Sequence, residues 1–426
     1  MATWNAAGME EQGHESSSAH VDGTACTMAA ANGQGAVPHE GEGRTREAIK
    51  PARCEGTAVS VYSVVFLPTL ACNCTCTHCF ERTGPVTMGE SRWRMVFGEV
   101  RELADLVRCR TMRVYWQGGE VLSLQPESVA SILEAAADAF AGSGVTVEHH
   151  LQTNLLLYDS ARWRDVMRAF ALGTISSSLD YPNRYRQTPS LSPDEYNRAW
   201  LRKKDEAECD GFAVSIVSLP NPGTLEIGAE RWFSYFRDEV RVQNLQVNFP
   251  FPGQGEGLEP LDLGNLAAFM ADLHGIWVAS GDEIHLSPFR GLRDRMEGRV
   301  GTLPCIWSAS CANSLLAIAP DGRVGQCDCW VSNFDGHEFG VIGEDDMATM
   351  LAARPRSPFV NRSFALARDT ECGECEHWNV CFGGCPVRAF AFGGDMLAPD
   401  HYCSVYKEMM NAVRRHAAGL ATTSGS

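Results

Sequence analysis

The 426-residue sequence predicts an α/β protein in which a partial (β/α)6 TIM-like barrel is followed by a cysteine-rich segment. Three observations support this fold class. Short apolar runs alternate six times with longer helical stretches between residues 60 and 279, which is typical of βα units. After about residue 300, the pattern changes to short irregular pieces between cysteines. The chain contains 17 cysteines, and most of them are clustered.

The six units follow one another along the chain. The predicted strands are SVYSVVFL (60–67), TMRVYW (111–116), TVEHHLQ (146–152), GTISSSL (173–179), FAVSIVS (212–218) and LQVNFP (245–250). The predicted helices are 91–107, 127–141, 161–171, 192–204, 229–240 and 265–279. Strands joined by helical crossovers are parallel, and six units are too few for an eight-stranded barrel. Functional residues are therefore expected at the carboxyl ends of the strands.

The chain divides into four predicted parts. Residues 1–55 are rich in Gly, Ala, Ser and Glu without apolar periodicity, so we expect a disordered N-terminal arm. Residues 56–290 contain the barrel units, 300–410 form the cysteine-rich segment, and 411–426 form a C-terminal tail. The cysteine-rich segment has little apolar sequence of its own, so bound metal is expected to stabilise it.

Composition and charge exclude several classes of function. The chain has 53 acidic and 36 basic residues, and its net charge of −17 disfavours binding to nucleic-acid phosphates. No run approaches about 18 uninterrupted apolar residues, so no membrane span is expected. The N-terminus has neither the basic region nor the apolar core of a secretory signal. These features predict a cytoplasmic protein whose clustered cysteines bind metal or iron–sulfur clusters rather than form disulfides.

A first cysteine cluster directly follows the first predicted strand, in the string ACNCTCTHCFE. Cys72, Cys76 and Cys79 have the spacing C-x3-C-x2-C, with Cys74 between them. Three thiolates on one loop can hold three irons of a [4Fe–4S] cluster and leave the fourth iron open. A partial zinc site is the alternative, because zinc also binds closely spaced thiolates.

In position and spacing, this cluster resembles the binding motif of the radical S-adenosylmethionine (radical SAM) superfamily. Three further strand ends resemble its segments: VYWQGGEV, LQTN (151–154) and SSSLDYP (176–182). The resemblance implies that SAM is bound by Gly118, Gly119, Glu120, Ser178 and, as a weaker candidate, Ser215. It also implies that Asp180 lies near the substrate. Without the resemblance, GGE is an ordinary turn, and Ser178 and Asp180 are ordinary strand-end caps.

Two residues depart from the family pattern. Val121 follows the GGE segment, where the family often has proline, and His78 precedes the third cysteine, where another aromatic ring is more common.

The second cysteine cluster lies in the C-terminal third, where the spacing includes C-x2-C-x5-C-x3-C. The pattern resembles the seven-cysteine SPASM domain with one additional upstream cysteine. The resemblance implies two auxiliary [4Fe–4S] clusters. One ligand set would be Cys305, Cys311, Cys327 and Cys385, and the other Cys372, Cys375, Cys381 and Cys403. Two four-thiolate zinc sites are the alternative.

The two resemblances together imply a reaction. The family's shared chemistry is reductive cleavage of SAM to a 5′-deoxyadenosyl radical, which abstracts hydrogen from a substrate. Auxiliary clusters suit an oxidation, because they can accept the second electron. Asp328 follows Cys327 in GQCDCW, where an acidic residue resembles the general base of anaerobic sulfatase-maturing enzymes. Its alternative role is to cap a turn.

We therefore expect a radical SAM oxidoreductase that modifies a side chain of a peptide or protein. The substrate would be a ribosomally made precursor peptide or a sulfatase, and a flavodoxin or ferredoxin would supply electrons. A second possibility is a dehydrogenase or epimerase acting on a small metabolite such as an aminocyclitol or sugar. A third is a non-catalytic zinc-binding scaffold, which would bind no SAM.

Overall fold

The computed structural model describes residues 60–170, 173–253, 257–299, 303–309 and 311–423. The N-terminal arm predicted over 1–55 lies outside these residues, as do Cys26 and Cys54.

One ten-stranded sheet forms the centre of the fold, with the strand order β10-β9-β8-β1-β2-β3-β4-β5-β6-β7. The strands are β1 Val61–Thr69, β2 Thr111–Gly118, β3 Thr146–Thr153, β4 Thr174–Ser178, β5 Ala213–Ser218, β6 Asn244–Val247, β7 His285–Ser287, β8 Leu315–Ile318, β9 Arg323–Gly325 and β10 Gly340–Val341. Strands β1 to β7 are parallel to their neighbours, and β8 joins β1 in parallel on the other side. Strands β9 and β10 continue the sheet in antiparallel pairing.

Thirteen helices accompany these strands within the described residues. They are α1 Glu90–Val107, α2 Pro126–Phe140, α3 Ser160–Met167, α4 Pro193–Cys209, α5 Pro222–Ser234, α6 Leu263–Ala279, α7 Phe289–Met296, α8 Asp328–Val331, α9 Met347–Leu351, α10 Ser357–Asp369, α11 Trp378–Cys381, α12 Pro386–Gly393 and α13 Cys403–Thr423. The six predicted strand–helix pairs are all present, and the sheet they form does not close on itself within the described residues. The prediction of a partial α/β barrel is confirmed.

Local sequence explains where the helices begin. Helix α4 starts with a capping box, in which Ser192 and Glu195 satisfy each other's backbone N–H groups. Helical structure already begins at Pro222, where the Asn221 side chain accepts a hydrogen bond from the Thr224 N–H. The backbone is non-helical at Gly228, which has a φ of +77°, so the helix that the sequence predicts from residue 229 follows this kink. It continues into a π-helical turn over Tyr235–Glu239.

The cysteine-rich segment contributes three strands to the same sheet as the barrel units. Residues Leu315–Ile318 of β8 are all buried, and they pair with β1 from Ser63 to Phe66. The described residues therefore form one compact unit. The division between parts 56–290 and 300–410 remains a prediction.

The last helix extends through most of the segment predicted to be a tail. Helix α13 continues to Thr423, and its buried residues Val405, Met409 and Val413 lie on the side that packs against α6. The spacing of four residues places these side chains on one face of the helix, which explains why it stays ordered. No described helix is long and apolar enough to cross a membrane.

Candidate active site and cysteine clusters

The carboxyl ends of β1 to β5 surround a cavity of about 140 Å³. The residues predicted from the first cysteine cluster and the strand ends line it together: Cys72, Cys76, Cys79, Gly118, Gly119, Glu120 and Ser178. The extra thiol Cys74 also lines this cavity. Ser215 does not line it; the residue on β5 that does is Val217, two positions later on the same face of the strand. The SAM-binding roles of these residues remain predictions.

The paired glycines allow β2 to approach the cysteine loop closely. A Cβ on Gly118 would lie 2.3 Å from the Thr69 carbonyl oxygen, and one on Gly119 would lie 2.3 Å from the Ala71 carbonyl oxygen. Gly118 also has a φ of +121°, which L-residues rarely adopt. The Gly119 N–H donates to the Thr69 carbonyl at 2.9 Å. Glycine is therefore required to fix the loop that carries the first three cysteines.

Glu120 is buried, and its carboxylate connects two strand ends. It accepts hydrogen bonds from the Thr153 hydroxyl at 2.6 Å, the Asn154 N–H at 2.6 Å and the Leu122 N–H at 2.9 Å. Burial raises the pKa of Glu120, and these three donors oppose the rise. The carboxylate is therefore held rigidly at the cavity wall.

The LQTN segment on β3 contributes two amide side chains to the cavity. Gln152 donates from Nε2 to the Ser178 hydroxyl at 3.1 Å. Asn154 donates from Nδ2 to the Asn73 side-chain oxygen at 2.7 Å, and the same nitrogen lies 3.9 Å from the Cys72 sulfur. These contacts fix Ser178 and the first cysteine relative to each other.

Asp180 lies beneath the cavity and forms part of a buried ionic network. Its carboxylate accepts from Arg186 Nε at 2.6 Å and from the Leu219 N–H at 2.8 Å. The His78 ring stacks on Tyr185, and its Nε2 lies 3.8 Å from Asp180 Oδ2. Asp180 is fully buried and positions Arg186, which lines the cavity, and its place near a substrate remains a prediction.

Three polar side chains meet where the first cavity adjoins the C-terminal part. Glu81 and Gln117 line the first cavity, and Asp328 lines the neighbouring cysteine cavity. The pKa of Glu81 is raised to about 8, mainly because the side chain is buried and also because the Asp328 carboxyl is nearby. Burial also raises the pKa of Asp328, and the Gln117 amide opposes that rise because it lies nearby, although Gln117 Nε2 and Asp328 Oδ2 are not within hydrogen-bonding geometry. Among the described residues, Glu81 Oε2, Gln117 Nε2 and Asp328 Oδ2 are buried without a hydrogen bond.

The first C-terminal set of cysteines lines one small cavity. It contains Cys305, Cys311, Cys327 and Cys385, and a fifth thiol, Cys329, is beside them. Burial raises the pKa of each of the four predicted ligands, and that of Cys385 reaches about 12; for Cys327 the larger cause is the hydrogen bond that its thiol donates to Cys329. Binding of metal to such a site therefore displaces protons.

The second C-terminal set, Cys372, Cys375, Cys381 and Cys403, lines another small cavity. The loop between the two sets is held by Asp400, whose carboxylate accepts from the Cys385 N–H at 2.7 Å and the Tyr402 N–H at 2.9 Å. A Cβ on Gly384 would lie 2.3 Å from the Asp400 Cβ, which explains the glycine there. Arg362 on α10 donates to four carbonyl oxygens, those of Gly383, Gly384, Met396 and Ala398.

The donor sets suit the groups that the sequence implies. Three cysteines on one loop with open space beside them fit a [4Fe–4S] cluster that has one exchangeable site. Each set of four thiols fits either a closed [4Fe–4S] cluster or a zinc ion. The two sets of C-terminal thiols that share a cavity are those that the SPASM resemblance implies, and their role as cluster ligands remains a prediction.

Sequence reasoning missed several residues of the site. Glu81 had no signal beyond its position two residues after Cys79. Arg186 lies in a loop without regular pattern, and it lines the cavity because Asp180 holds it there. Gln117 could have been noticed, because it directly precedes the paired glycines at the end of β2.

Comparison of the sequence with known proteins gives relatives along most of the chain, although no family model matches it. A serine-type anaerobic sulfatase-maturating enzyme of Klebsiella aerogenes is 26% identical over 359 residues, which are 78% of this chain and 81% of that enzyme. A cysteine-type anaerobic sulfatase-maturating enzyme of Clostridium perfringens is 22% identical over 361 residues, 79% of this chain and 92% of that enzyme. This chain is a relative of the anaerobic sulfatase-maturating enzymes.

Solved structures show the same fold. The enzyme anSMEcpe with bound AdoMet superposes with a TM-score of 0.71 at 20% identity, over 85% of this chain and 96% of that one. SuiB of Streptococcus suis, solved with its precursor peptide SuiA, superposes with a TM-score of 0.54 at 13% identity, over 80% and 76% of the two chains. The fold of the described residues is therefore that of these radical SAM enzymes with a SPASM domain.

Proposed function

We propose that this chain is a radical SAM oxidoreductase that oxidises a side chain of a peptide or protein. The observation that carries the proposal is the convergence of three cysteines, the paired glycines and Ser178 on one cavity, next to a second cavity of four cysteines. The proposal is supported by the relatives named as sulfatase-maturating enzymes, and by structures of related folds with bound peptides.

Each part of the site has a proposed role in binding. Cys72, Cys76 and Cys79 would hold one [4Fe–4S] cluster, and the two sets of four cysteines would hold two more. When bound, the first cluster supplies reductive cleavage of SAM to a radical that abstracts hydrogen, and the other two supply a sink for an electron. Gly118, Gly119, Glu120 and Ser178 would bind SAM, with the rigid Glu120 carboxylate facing the SAM ammonium group. Ser215 is a weaker candidate for the same role.

After a hydrogen atom has been abstracted from the target carbon, a proton must also leave the substrate, and this requires a proton acceptor nearby. Oxidation of a hydroxymethyl group to an aldehyde removes one hydrogen atom, one proton and one electron. Asp328 would take the proton at Oδ2, the oxygen that has no hydrogen bond among the described residues. Its burial beside the first cavity keeps bulk water away from that oxygen.

Electrons for SAM cleavage must come from outside the chain. We propose a small one-electron carrier, a flavodoxin or a ferredoxin, as the reducing partner in the cytoplasm.

The test is anaerobic incubation of the full chain with dithionite, SAM and peptides that contain a β-deuterated Cys or Ser. The proposal predicts deuterium in 5′-deoxyadenosine and an aldehyde in the peptide; Ser gives the aldehyde directly, and Cys gives a thioaldehyde that water hydrolyses to the aldehyde with release of hydrogen sulfide. Transfer of deuterium from labelled sugars or aminocyclitols, and from no peptide, would favour the small-metabolite alternative. Absence of SAM cleavage together with bound zinc would favour the scaffold.

A further inference from the structure

We propose that Glu81 is a substrate-binding residue, and that Glu81, Gln117 and Asp328 together bind the backbone and side chain of the target residue. This proposal rests on the proposed function, because it concerns how the peptide is held in the same site. It assigns a role to Glu81 that its position next to the first cysteines does not suggest.

The proposal starts from three unsatisfied polar atoms in one place. Glu81 Oε2, Gln117 Nε2 and Asp328 Oδ2 are buried and make no hydrogen bond among the described residues. The exposed fractions of the three residues are 9%, 6% and 2%. A buried polar atom without a partner costs free energy, so three of them together indicate a site that a ligand completes.

The three atoms offer a specific pattern of hydrogen bonding. Gln117 Nε2 can only donate, whereas Asp328 Oδ2 and Glu81 Oε2 can accept. A carboxyl group keeps an oxygen that accepts in either protonation state, so the pattern does not depend on the charge of Glu81.

A serine or cysteine residue in a peptide has the complementary groups. Its backbone N–H can donate to Glu81, its backbone carbonyl can accept from Gln117, and its hydroxyl or thiol can donate to Asp328. In the proposed function, SAM would be bound by other residues of the same cavity, among them Glu120 and Ser178. The backbone contacts would make the site selective for a residue within a peptide over a free sugar.

The experiment uses the full chain, reconstituted anaerobically, with a pool of synthetic peptides carrying one β-dideuterated Cys or Ser in randomised flanks. The readout is the amount of deuterium in 5′-deoxyadenosine per molecule of SAM cleaved. Because this ratio is normalised to SAM cleavage, partial loss of the first cluster does not change it. The iron content of each variant is measured in parallel.

Two kinds of substitution separate binding from structure. Glu81→Leu, and Glu81→Ala as a smaller replacement, should lower the ratio about tenfold, the effect of losing one hydrogen bond to a bound substrate. Glu81→Gln keeps an oxygen that accepts and should stay within about threefold of the wild type. Glu134→Leu on the exposed face of α2 is the matched control and should have no effect.

A second peptide pool tests the contact itself. In this pool the backbone nitrogen of the labelled residue is methylated, which removes the N–H that Glu81 would accept. Methylation should lower the ratio in the wild type, and it should lower it much less in Glu81→Ala, because the partner is already gone.

The outcomes distinguish the two proposals. If the wild type, Glu81→Leu and Glu81→Ala all transfer the same amount of deuterium to 5′-deoxyadenosine per SAM cleaved, the role of Glu81 is overturned and the proposed function stays intact. An equal effect of methylation in wild type and Glu81→Ala would overturn it as well. Absence of transfer from both pools in the wild type would overturn the proposed function, and the role of Glu81 with it.

Discussion

Gly119 shows how a single residue determines the position of the cysteine loop. Its missing side chain leaves room for the Ala71 carbonyl oxygen, which a Cβ would approach to 2.3 Å. The same glycine donates its N–H to Thr69. The approach of the two strand ends thus depends on the absence of one methyl group.

We expect Gly119→Ala to destabilise the fold by about 1–3 kcal/mol, the usual cost of overpacking a filled site. The displaced loop should also lose iron at Cys72, Cys76 and Cys79. Gly98→Ala is the control: no atom lies within 4 Å of a Cβ there, and α1 should gain about 0.5–1 kcal/mol. Urea unfolding and iron analysis of the two variants provide the measurement. Equal stability of both variants would contradict the explanation for the paired glycines.

Asp328 is the residue on which the proposed proton transfer depends. We expect Asp328→Asn to reduce aldehyde formation roughly 100- to 10,000-fold, the usual contribution of a general base. SAM cleavage should continue, because Asp328 does not line the cavity that holds the predicted SAM contacts. The ratio of aldehyde to 5′-deoxyadenosine measures the effect. A ratio equal to that of the wild type would assign the proton transfer to another group.

Among the elements, α10 holds the two loop segments that flank α12, one at Gly383 and Gly384 and the other at Met396 and Ala398. Arg362 is buried on α10, and its guanidinium donates to the four carbonyl oxygens of these two segments at 2.7–3.1 Å. Loss of this side chain leaves four buried acceptors without a donor, so the two segments depend on the helix.

We expect Arg362→Leu to lower the free energy of unfolding by about 3–5 kcal/mol, the usual cost of removing one side of a buried charged network. Arg368→Leu, on the exposed side of the same helix, should change it by less than about 1 kcal/mol. Urea unfolding of the anaerobically prepared chains measures both. Similar stability of the two variants would mean that the two segments do not depend on α10.

The elements that the sequence predicted well are those with long regular patterns. Strands β1 to β6 alternate with long helical patterns such as those of α1, α2 and α6, and this alternation predicts them even where the run is polar, as in β4. Strand β7 has only three residues, and β8, which is as long as β6, lies in the cysteine-rich segment, where strands and long helices no longer alternate. The helix predicted from residue 229 follows the kink at Gly228, and only the short helical stretch before it, which begins after the cap at Asn221, was not predicted.

The candidate site was partly predictable for a similar reason. The spacing of the first three cysteines is a local pattern, whereas the two C-terminal sets interleave along the chain and could be inferred only from the resemblance to the SPASM domain. Glu81 and Gln117 lie near the carboxyl ends of β1 and β2, and Asp328 lies at the start of α8. The three residues come together only because these distant parts of the chain are in contact. Such a contact between distant residues leaves no periodic signal in the sequence.

At the scale of the whole molecule, the two cysteine regions are expected to contribute differently to stability. The first three cysteines lie on a loop above a sheet with an extensive apolar core. The second C-terminal set lies among short helices, where bound metal would replace part of a core.

We expect Cys76→Ala to abolish SAM cleavage while leaving the two C-terminal clusters in place. Cys375→Ala should instead reduce the yield of soluble protein, because a ligand of a stabilising cluster is lost. Iron content, soluble yield and 5′-deoxyadenosine formation are compared for the two variants. Production of 5′-deoxyadenosine by Cys76→Ala would refute the assignment of the active-site cluster.

The central claim is that one chain holds a SAM-cleaving cluster and two auxiliary clusters. Its most direct test is to purify the protein anaerobically, count iron and sulfide, then add dithionite and SAM and detect 5′-deoxyadenosine by mass spectrometry. The account predicts about twelve irons per chain, four for each of three clusters, together with SAM cleavage. Zinc in place of iron, with SAM left intact, would contradict it.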